Sequence, residues 1–440
     1  MATADGTAAT PGIREHPLRE SLLHEAHARP FESLSAPLRV SHLVVHTGTS
    51  GRAEELAHVA ELCRELRVEA PGAEAGHFTL ETEHFRLRWE RHTEFSTYTV
   101  FVAGGESEPF ASPALGAMPR RWLSGVPGEL LAAVHVSLLR AEDIGESPSI
   151  IARYFREDSM AGSRCAGDAA SVWTDFLADR DGFIRVLVLD RSLSAPQAGR
   201  LVQRLLEIET YRLMALLGFP LARRLSPDIT EMETQLGTLM DRLSSVAALD
   251  DERNLLSSLS ALSARVEQLM AQTNFRFSAT AAYGTLVRRR LAALRERRIE
   301  GVSTLDEFME RRLAPALDTC VHMSDRLERV SRRVSRAANL LRTRVDVALE
   351  AQNRDLLESM NRRARLQLRL QETVEGLSVV ILSYYSVSLI GYALRGAAAA
   401  GLNIRPDVYT ALSIPVVAGV VALGVREVRR RVTRADGGLP

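Results

Sequence analysis

Val374 to Leu394, VEGLSVVILSYYSVSLIGYAL, is the stretch on which the reading of the chain turns. Its 21 residues carry one charge, Glu375. As an α-helix they reach roughly 31 Å, the thickness of a bilayer's hydrocarbon core. A second stretch, VYTALSIPVVAGVVALGV (Val408 to Val425), reaches roughly 27 Å, short but adequate. The second stretch alone could be the core helix of a soluble protein, whereas the first has only Glu375 as a charge, near its start. Two in succession predict a transmembrane hairpin: transmembrane helix 1 over 374–394, an external loop over 395–407, transmembrane helix 2 over 408–425 and a basic cytoplasmic tail over 426–440.

Arginine asymmetry orients this hairpin. Arg362, Arg363, Arg365 and Arg369 precede the first span, and Arg426, Arg429, Arg430, Arg431 and Arg434 follow the second. The link holds Arg395 and Arg405. Both termini are therefore expected in the cytoplasm, with the link outside. Gly376, Ser383, Ser386, Ser388 and Gly391 on the first span, with Gly419 and Gly424 on the second, let helices approach closely. Packing within the hairpin is the ordinary reading, and an oligomeric pore lined by Ser and Tyr hydroxyls is the sharper one. Pro415 is tolerable in a span. Glu375, one turn inside the cytoplasmic boundary, is a functional candidate because carboxylates are costly in lipid.

Upstream, residues 226–372 read as an α-helical coiled-coil stalk. Ser226-Pro227-Asp228 reads as a helix start. Leu255, Leu259, Leu262, Val266 and Leu269 repeat at alternating spacings of four and three. Gly301 breaks the pattern, Thr304 with Glu307 makes a capping box, and Pro315 interrupts once more. Leu327, Val330, Val334, Ala337, Leu341, Val345 and Ala348 continue the stripe. The other face is dense in Arg and Glu, ordinarily a solvated surface. So long a stripe must pack on the preceding helices, on another subunit, or on both, which predicts a homo-oligomer formed through the stalk.

Residues 13–222 read as an α+β domain, and 1–12 as a disordered Ala/Thr/Gly tail. Glu54 to Arg67 is amphipathic. Val40–Thr47, Phe78–Arg91, Phe95–Ala103, Leu131–Leu139 and Phe183–Leu189 read as strands, the second and third as an antiparallel pair. Residues 104–128 read as a long connection too irregular for core structure. Ser194-Ala195-Pro196 starts a helix that stops near Gly218-Phe219-Pro220.

The chain has 440 residues, 55 of them basic and 55 acidic, so no global nucleic-acid footprint is expected. Every basic residue is Arg. The absence of Lys excludes the usual P-loop NTPase, protein kinase and Schiff-base chemistries. Three well-separated cysteines, Cys63, Cys165 and Cys320, make no CxxC pair and suit a reducing compartment. The first residues have no apolar run, so no cleavable signal peptide is expected.

HPLRESLLHEAHARPF (His16 to Phe31), TDFLADRDGFIRVLVLD (Thr174 to Asp190), AGRLVQRLLEIETYRLMALLGFPLAR (Ala198 to Arg223) and LQETVEGLSVVILSYYSVSLIGYALRG (Leu370 to Gly396) stand out as long, specific segments. Together they resemble domain-of-unknown-function family 3422, bacterial proteins predicted to be membrane-anchored, from about residue 14 to 430. The resemblance implies a membrane anchor, which in a bacterium means the inner membrane, and supplies no activity, substrate or catalytic residues.

Glu20, His24 and His27 share one helical face and are the weak metal candidates, since a site needs three or four converging ligands. Capping or surface histidines are the plainer reading, and His24-Glu25-Ala26-His27 is not the zincin spacing. His42 and His46 share a strand face. In His27-Ala28-Arg29-Pro30-Phe31, Arg29 is an anion-binding candidate; more ordinarily it ties a segment to an acidic partner within the fold. Asp175, Asp179, Asp181 and Gly182 resemble a cation loop in composition, but the EF-hand spacing fails and a turn is expected. Neither GxSxG nor GxGxxG occurs, no catalytic constellation is visible, and no cofactor is expected. The chain is thus expected to be a non-enzymatic, membrane-anchored scaffold or sensor facing the cytoplasm, with the lipid bilayer as its partner. The alternative is an oligomeric ion-channel or transporter subunit, similar in layout to CorA magnesium channels, although the Gly-Met-Asn motif of those channels is absent from RGAAAAGLNIRPD.

Overall fold

The computed structural model describes residues 16–19, 23, 31–48, 51–104, 108–246, 248–400 and 405–436. The expected tail, 1–12, and the candidates Glu20, His24, His27 and Arg29 lie outside the described residues. Two compact units are present, Met1–Ser245 with Ser257–Ala337, and Val246–Leu256 with Ala338–Pro440.

The first unit is built on one sheet of nine strands among the described residues. They are β1 (Leu38–His46), β2 (His77–Glu81), β3 (Arg86–Arg91), β4 (Phe95–Ala103), β5 (Glu129–Arg140), β6 (Ala161–Cys165), β7 (Ala170–Ala178), β8 (Ile184–Asp190) and β9 (Arg297–Arg298). Their order is β2-β3-β4-β1-β5-β8-β7-β6-β9. Every pairing is antiparallel except β5 with β8, which makes the sheet mixed. The sheet carries apolar side chains on both faces because both faces are covered. On one side Leu43, Val45, Leu87, Trp89, Tyr98 and Val100 pack with Val59, Leu62 and Cys63 of helix α1 (Arg52–Leu66). On the other, Val40, Phe101, Val134 and Val136 pack with Leu201, Val202 and Leu205 of helix α2 (Ala195–Leu216). A mixed-sheet N-terminal region, a mostly helical C-terminal part and two apolar helices at its end make up the described chain.

Several local expectations need correction. Phe78–Arg91 is two strands, because Thr82 folds a turn: its hydroxyl accepts from the amides of His84 and Phe85 and donates to the Phe85 carbonyl at 2.7 Å. β6 and β7 are strands where none is expected, since ASVWTDFLA leads into an acidic stretch that masks its strand character. Residues 104–128 do contribute to the core: Ala114, Met118 and Trp122 are buried, and the Trp122 indole donates to the His58 carbonyl at 2.9 Å. Pro227 lies inside helix α3 (Gly218–Ser245) rather than starting one. It sits on the exposed face, so the lost amide bond is outweighed by the continuous burial of Ala222, Leu225, Ile229 and Met232.

Helix α4 (Leu249–Leu294) follows, then α5 (Leu305–Arg312) and α6 (Ala314–Ala399). Within the first unit α3, α4 and α6 are tied pairwise. Arg265 pairs with Glu231 at 2.9 Å, Arg326 donates to Glu233 at 3.1 Å, and Ser331 donates to Glu267 at 2.7 Å. Leu259, Leu262, Val266, Leu327, Val330 and Val334 are buried, so the stripe packs on preceding helices of the same chain. The capping box at α5 forms as expected, Thr304 and Glu307 each accepting the other's amide at 3.1 Å. Glu296 adds a second anchor there, accepting from the Ser163 hydroxyl at 2.7 Å and the Leu305 amide at 3.0 Å. Burial pushes its carboxyl above the usual range.

In the second unit Leu255, Leu341 and Val345 are buried, and Arg344 pairs with Glu252 at 3.0 Å. From residue 351 to 374 every side chain of α6 is exposed. Pro315 stands at the start of α6 rather than interrupting a helix, and only the last part of the expected stalk, from Ala314, is continuous with the first apolar stretch. Helix α7 (Pro406–Asp436) contains Pro415 and runs on through most of the expected basic tail.

Among the described glycines the least room for a side chain is at Gly199 on α2, where an added Cβ would lie 1.6 Å from the Glu32 carbonyl oxygen. Backbone cannot yield there as a flexible side chain does. Gly199→Ala is expected to destabilise the fold by about 2 kcal/mol or more, read as a lowered Tm of the full chain in detergent. An unchanged Tm contradicts this packing.

Candidate functional site

The register of β3, β4 and β1 sets polar residues side by side on the face turned toward α2. Arg88 pairs with Thr99, and Thr99 with His42; one step along, Glu90 pairs with Thr97. Helix α2 brings Gln203, Glu207 and Thr210 to the same place, and α4 brings Arg290. These groups, with Glu32, His92, Phe95 and Phe101, line a cavity of about 300 Å³, at the lower end of the size of small-ligand sites.

Its walls are electrostatically balanced. On the sheet, Arg88 donates to Glu90 at 2.7 Å. On the helical side, Arg290 pairs with Glu207, which also accepts from Gln203 at 3.0 Å. Both pairs are partly buried, where breaking one partner costs more than the pair contributes. Glu32 is held by Arg86 at 3.3 Å.

His42 sits at the base of the cavity, bonded through Nδ1 to Thr99 at 2.8 Å and through Nε2 to Thr210 at 3.1 Å. The Thr210 hydroxyl spends its proton on the Leu206 carbonyl at 2.8 Å, so it accepts from His42. Nε2 therefore carries the ring proton, Nδ1 accepts, and Thr99 donates to it. Burial, followed by the neighbouring His92 and Arg88, lowers the His42 pKa to about 3 and holds the ring neutral. Thr97, 3% exposed, has a hydroxyl without a hydrogen-bond partner, a burial that costs about 1–3 kcal/mol when unrelieved.

Beside the cavity, Glu94 gathers Arg276 and Tyr283 of α4, the phenol donating at 2.9 Å; His46 stands 3.8 Å away. Burial, followed by the Glu94 contact, raises the Tyr283 pKa. His42 and His46 thus share a strand face, as expected, and each meets protein groups there.

The other sequence candidates fall elsewhere. Asp175 is buried on β7 and accepts the amides of Arg156 and Leu177, both at 3.1 Å. Asp179 accepts the amides of Asp181 and Phe183, both at 3.0 Å, closing the expected turn. Glu375 lines a groove of about 580 Å³ in the second unit, with Gln371 and Glu372 on its own helix and Val421 and Gly424 on α7. Arg88, Glu90, Thr97, Thr99, Glu207 and Arg290 belong to no motif that the sequence displays. The alternation in FRLRWER carries the one usable signal: two arginines and a glutamate opposite Leu87 and Trp89, a pattern equally suited to a solvent-facing strand.

The chain matches, over residues 14–432, the model of the family described as Protein of unknown function (DUF3422), and it belongs to that family. No curated protein matches the sequence.

A histidine whose folded pKa lies below its ordinary 6.5 contributes fully above that pH and loses its contribution as pH falls toward 3. Tm of the full chain in detergent is expected to fall below about pH 6.5, His42 supplying a slope of at most about 1.4 kcal/mol per pH unit. His135, lowered by burial to about 4, acts in the same direction. His42→Gln flattens the profile, leaving the shares of His135 and of His58, which burial also lowers; a profile as steep as the parent's removes His42 from the account.

Proposed function

We propose that this protein is a membrane-anchored sensor, a cytoplasmic ligand-binding domain held on a two-helix transmembrane hairpin in the bacterial inner membrane. Support for the anchor comes from apolar surface that the protein leaves uncovered. Leu377, Val380, Leu382 and Leu389 on α6, and Val416, Val420 and Leu423 on α7, are exposed. Both helices are long and apolar enough to cross a membrane. Each such side chain gains about 1.5–3 kcal/mol on leaving water. The Arg bias outlined above favours both termini in the cytoplasm, where the sheet unit would face soluble metabolites.

The stalk reading completes this proposal. Leu356, Leu357, Met360, Leu366, Leu368 and Leu370 are exposed on α6, and a second copy of the same helix would cover them in a coiled-coil-like homo-oligomer. The lipid bilayer and further copies of the chain are the partners so proposed; nucleic acid is not among them. The observation that carries a sensor rather than a plain scaffold is the cavity beneath α2, with its two ion pairs and neutral His42, because a tether needs no such chamber.

A second reading, an oligomeric channel subunit of CorA-like layout, is favoured by Glu375 lining a groove with Gly424. Liposomes holding the full chain are expected to pass no common monovalent or divalent ion; flux abolished by Glu375→Gln establishes the channel in place of the sensor.

Anchorage is tested by washing broken-cell membranes with alkaline carbonate. The full chain is expected to stay in the pellet, and recovery in the wash overturns the anchor. For the sensor, hydrogen exchange of Val40–Val44 and Thr97–Phe101 is expected to slow when a small-molecule cell extract is added, and not to slow in Thr97→Phe. Identical exchange with and without extract leaves a scaffold.

A further inference from the structure

We infer that the cavity beneath α2 takes a zwitterionic amino acid with an apolar side chain. This rests on the sensor reading and names its ligand class. The cavity carries both charge signs on both walls, Arg88 with Glu90 on the sheet and Arg290 with Glu207 on the helices. Each arginine commits one nitrogen to its glutamate, and a guanidinium has five N–H donors in a planar fork suited to a carboxylate. Glu90 spends one oxygen on Arg88 and keeps the other for an ammonium group. Thr97, the cross-strand partner of Glu90, supplies a hydroxyl not yet spent. Thr99 donates its proton to His42 and so offers lone pairs, which again suits an ammonium.

The alternatives fit less well. A ligand with anionic groups alone meets the carboxylates of Glu32, Glu90 and Glu207. One with cationic groups alone meets two arginines and receives nothing from the neutral His42. A wholly apolar ligand buries both ion pairs against carbon. A molecule with one ammonium and one carboxylate satisfies both walls and disturbs neither pair, and at about 300 Å³ the space admits a body of that size. Phe95, Phe101 and Leu206 line the remainder and receive an apolar side chain.

The test is calorimetric titration of the full chain in detergent with leucine and phenylalanine, their methyl esters, their N-acetyl forms, succinate and glycerol. The free amino acids are expected to bind, with both capped forms at least tenfold weaker. Arg290→Gln and Glu90→Gln, each checked for a retained cooperative unfolding transition above the titration temperature, are expected to weaken the free amino acids at least tenfold. Capped forms that bind as tightly as their parents, or no binding by either amino acid, overturn the inference. Binding of succinate or glycerol in place of the amino acids overturns the ligand class while leaving the sensor reading standing. Extract-dependent exchange decides that reading separately.

Discussion

Helix α2 meets the rest of the first unit without a side chain at Gly199, backbone against the Glu32 carbonyl, and from that close approach much of the arrangement follows. It presses Leu201, Val202 and Leu205 onto the sheet. It offers α4 a partner at three points: Arg204 donates to the Ala293 carbonyl at 3.0 Å, Glu207 pairs with Arg290, and Thr280 donates to the Ala215 carbonyl at 3.0 Å. Gly218 admits Thr280 at the start of α3, where a Cβ would lie 2.3 Å from the hydroxyl oxygen. Close packing of this kind leaves little room to relax, so the helix that carries one wall of the cavity is held close to its neighbours by backbone contact.

What fills the interface between α2 and the sheet is unusual in being half polar. Arg88, Glu90, Thr97, Thr99 and His42 occupy positions that aliphatic residues would pack more simply. Buried ion pairs are weak stabilisers and often dispensable for folding, and an unsatisfied hydroxyl is a net cost. A sheet face that keeps such groups under a helix gives up packing energy, and that loss is the physical argument behind the proposed binding role. The neutral tautomer of His42, set by two threonines, belongs to the same arrangement, because a charged imidazole beside Arg88 would oppose it.

The second unit poses the opposite problem. Its two long helices expose leucine, valine and tyrosine around their circumference, with only sparse polar groups along the apolar stretches. Self-association in water or insertion into lipid would cover this surface. A helix with all backbone hydrogen bonds made internally is suited to lipid, and the arginines placed before the first stretch and after the second define the ends of the apolar zone.

Helix positions, the capping box at Thr304, most strand locations and the two apolar stretches were legible from the residues, because each is governed by neighbours within a few positions. Packing overrides the local signal at Pro227, which is carried inside α3, and at Trp122, which is drawn from an irregular stretch into the core. By itself the sequence determined the order of sheet and helices and the two stretches long and apolar enough for a bilayer, since helical periodicity and hydropathy are properties of contiguous residues. The tertiary structure alone decided that Arg88 and Glu90 face a helix instead of solvent, and that Glu207 and Arg290, 83 positions apart, complete their surroundings. Strand alternation states which residues share a face; what lies opposite that face depends on register and on a helix more than a hundred residues away.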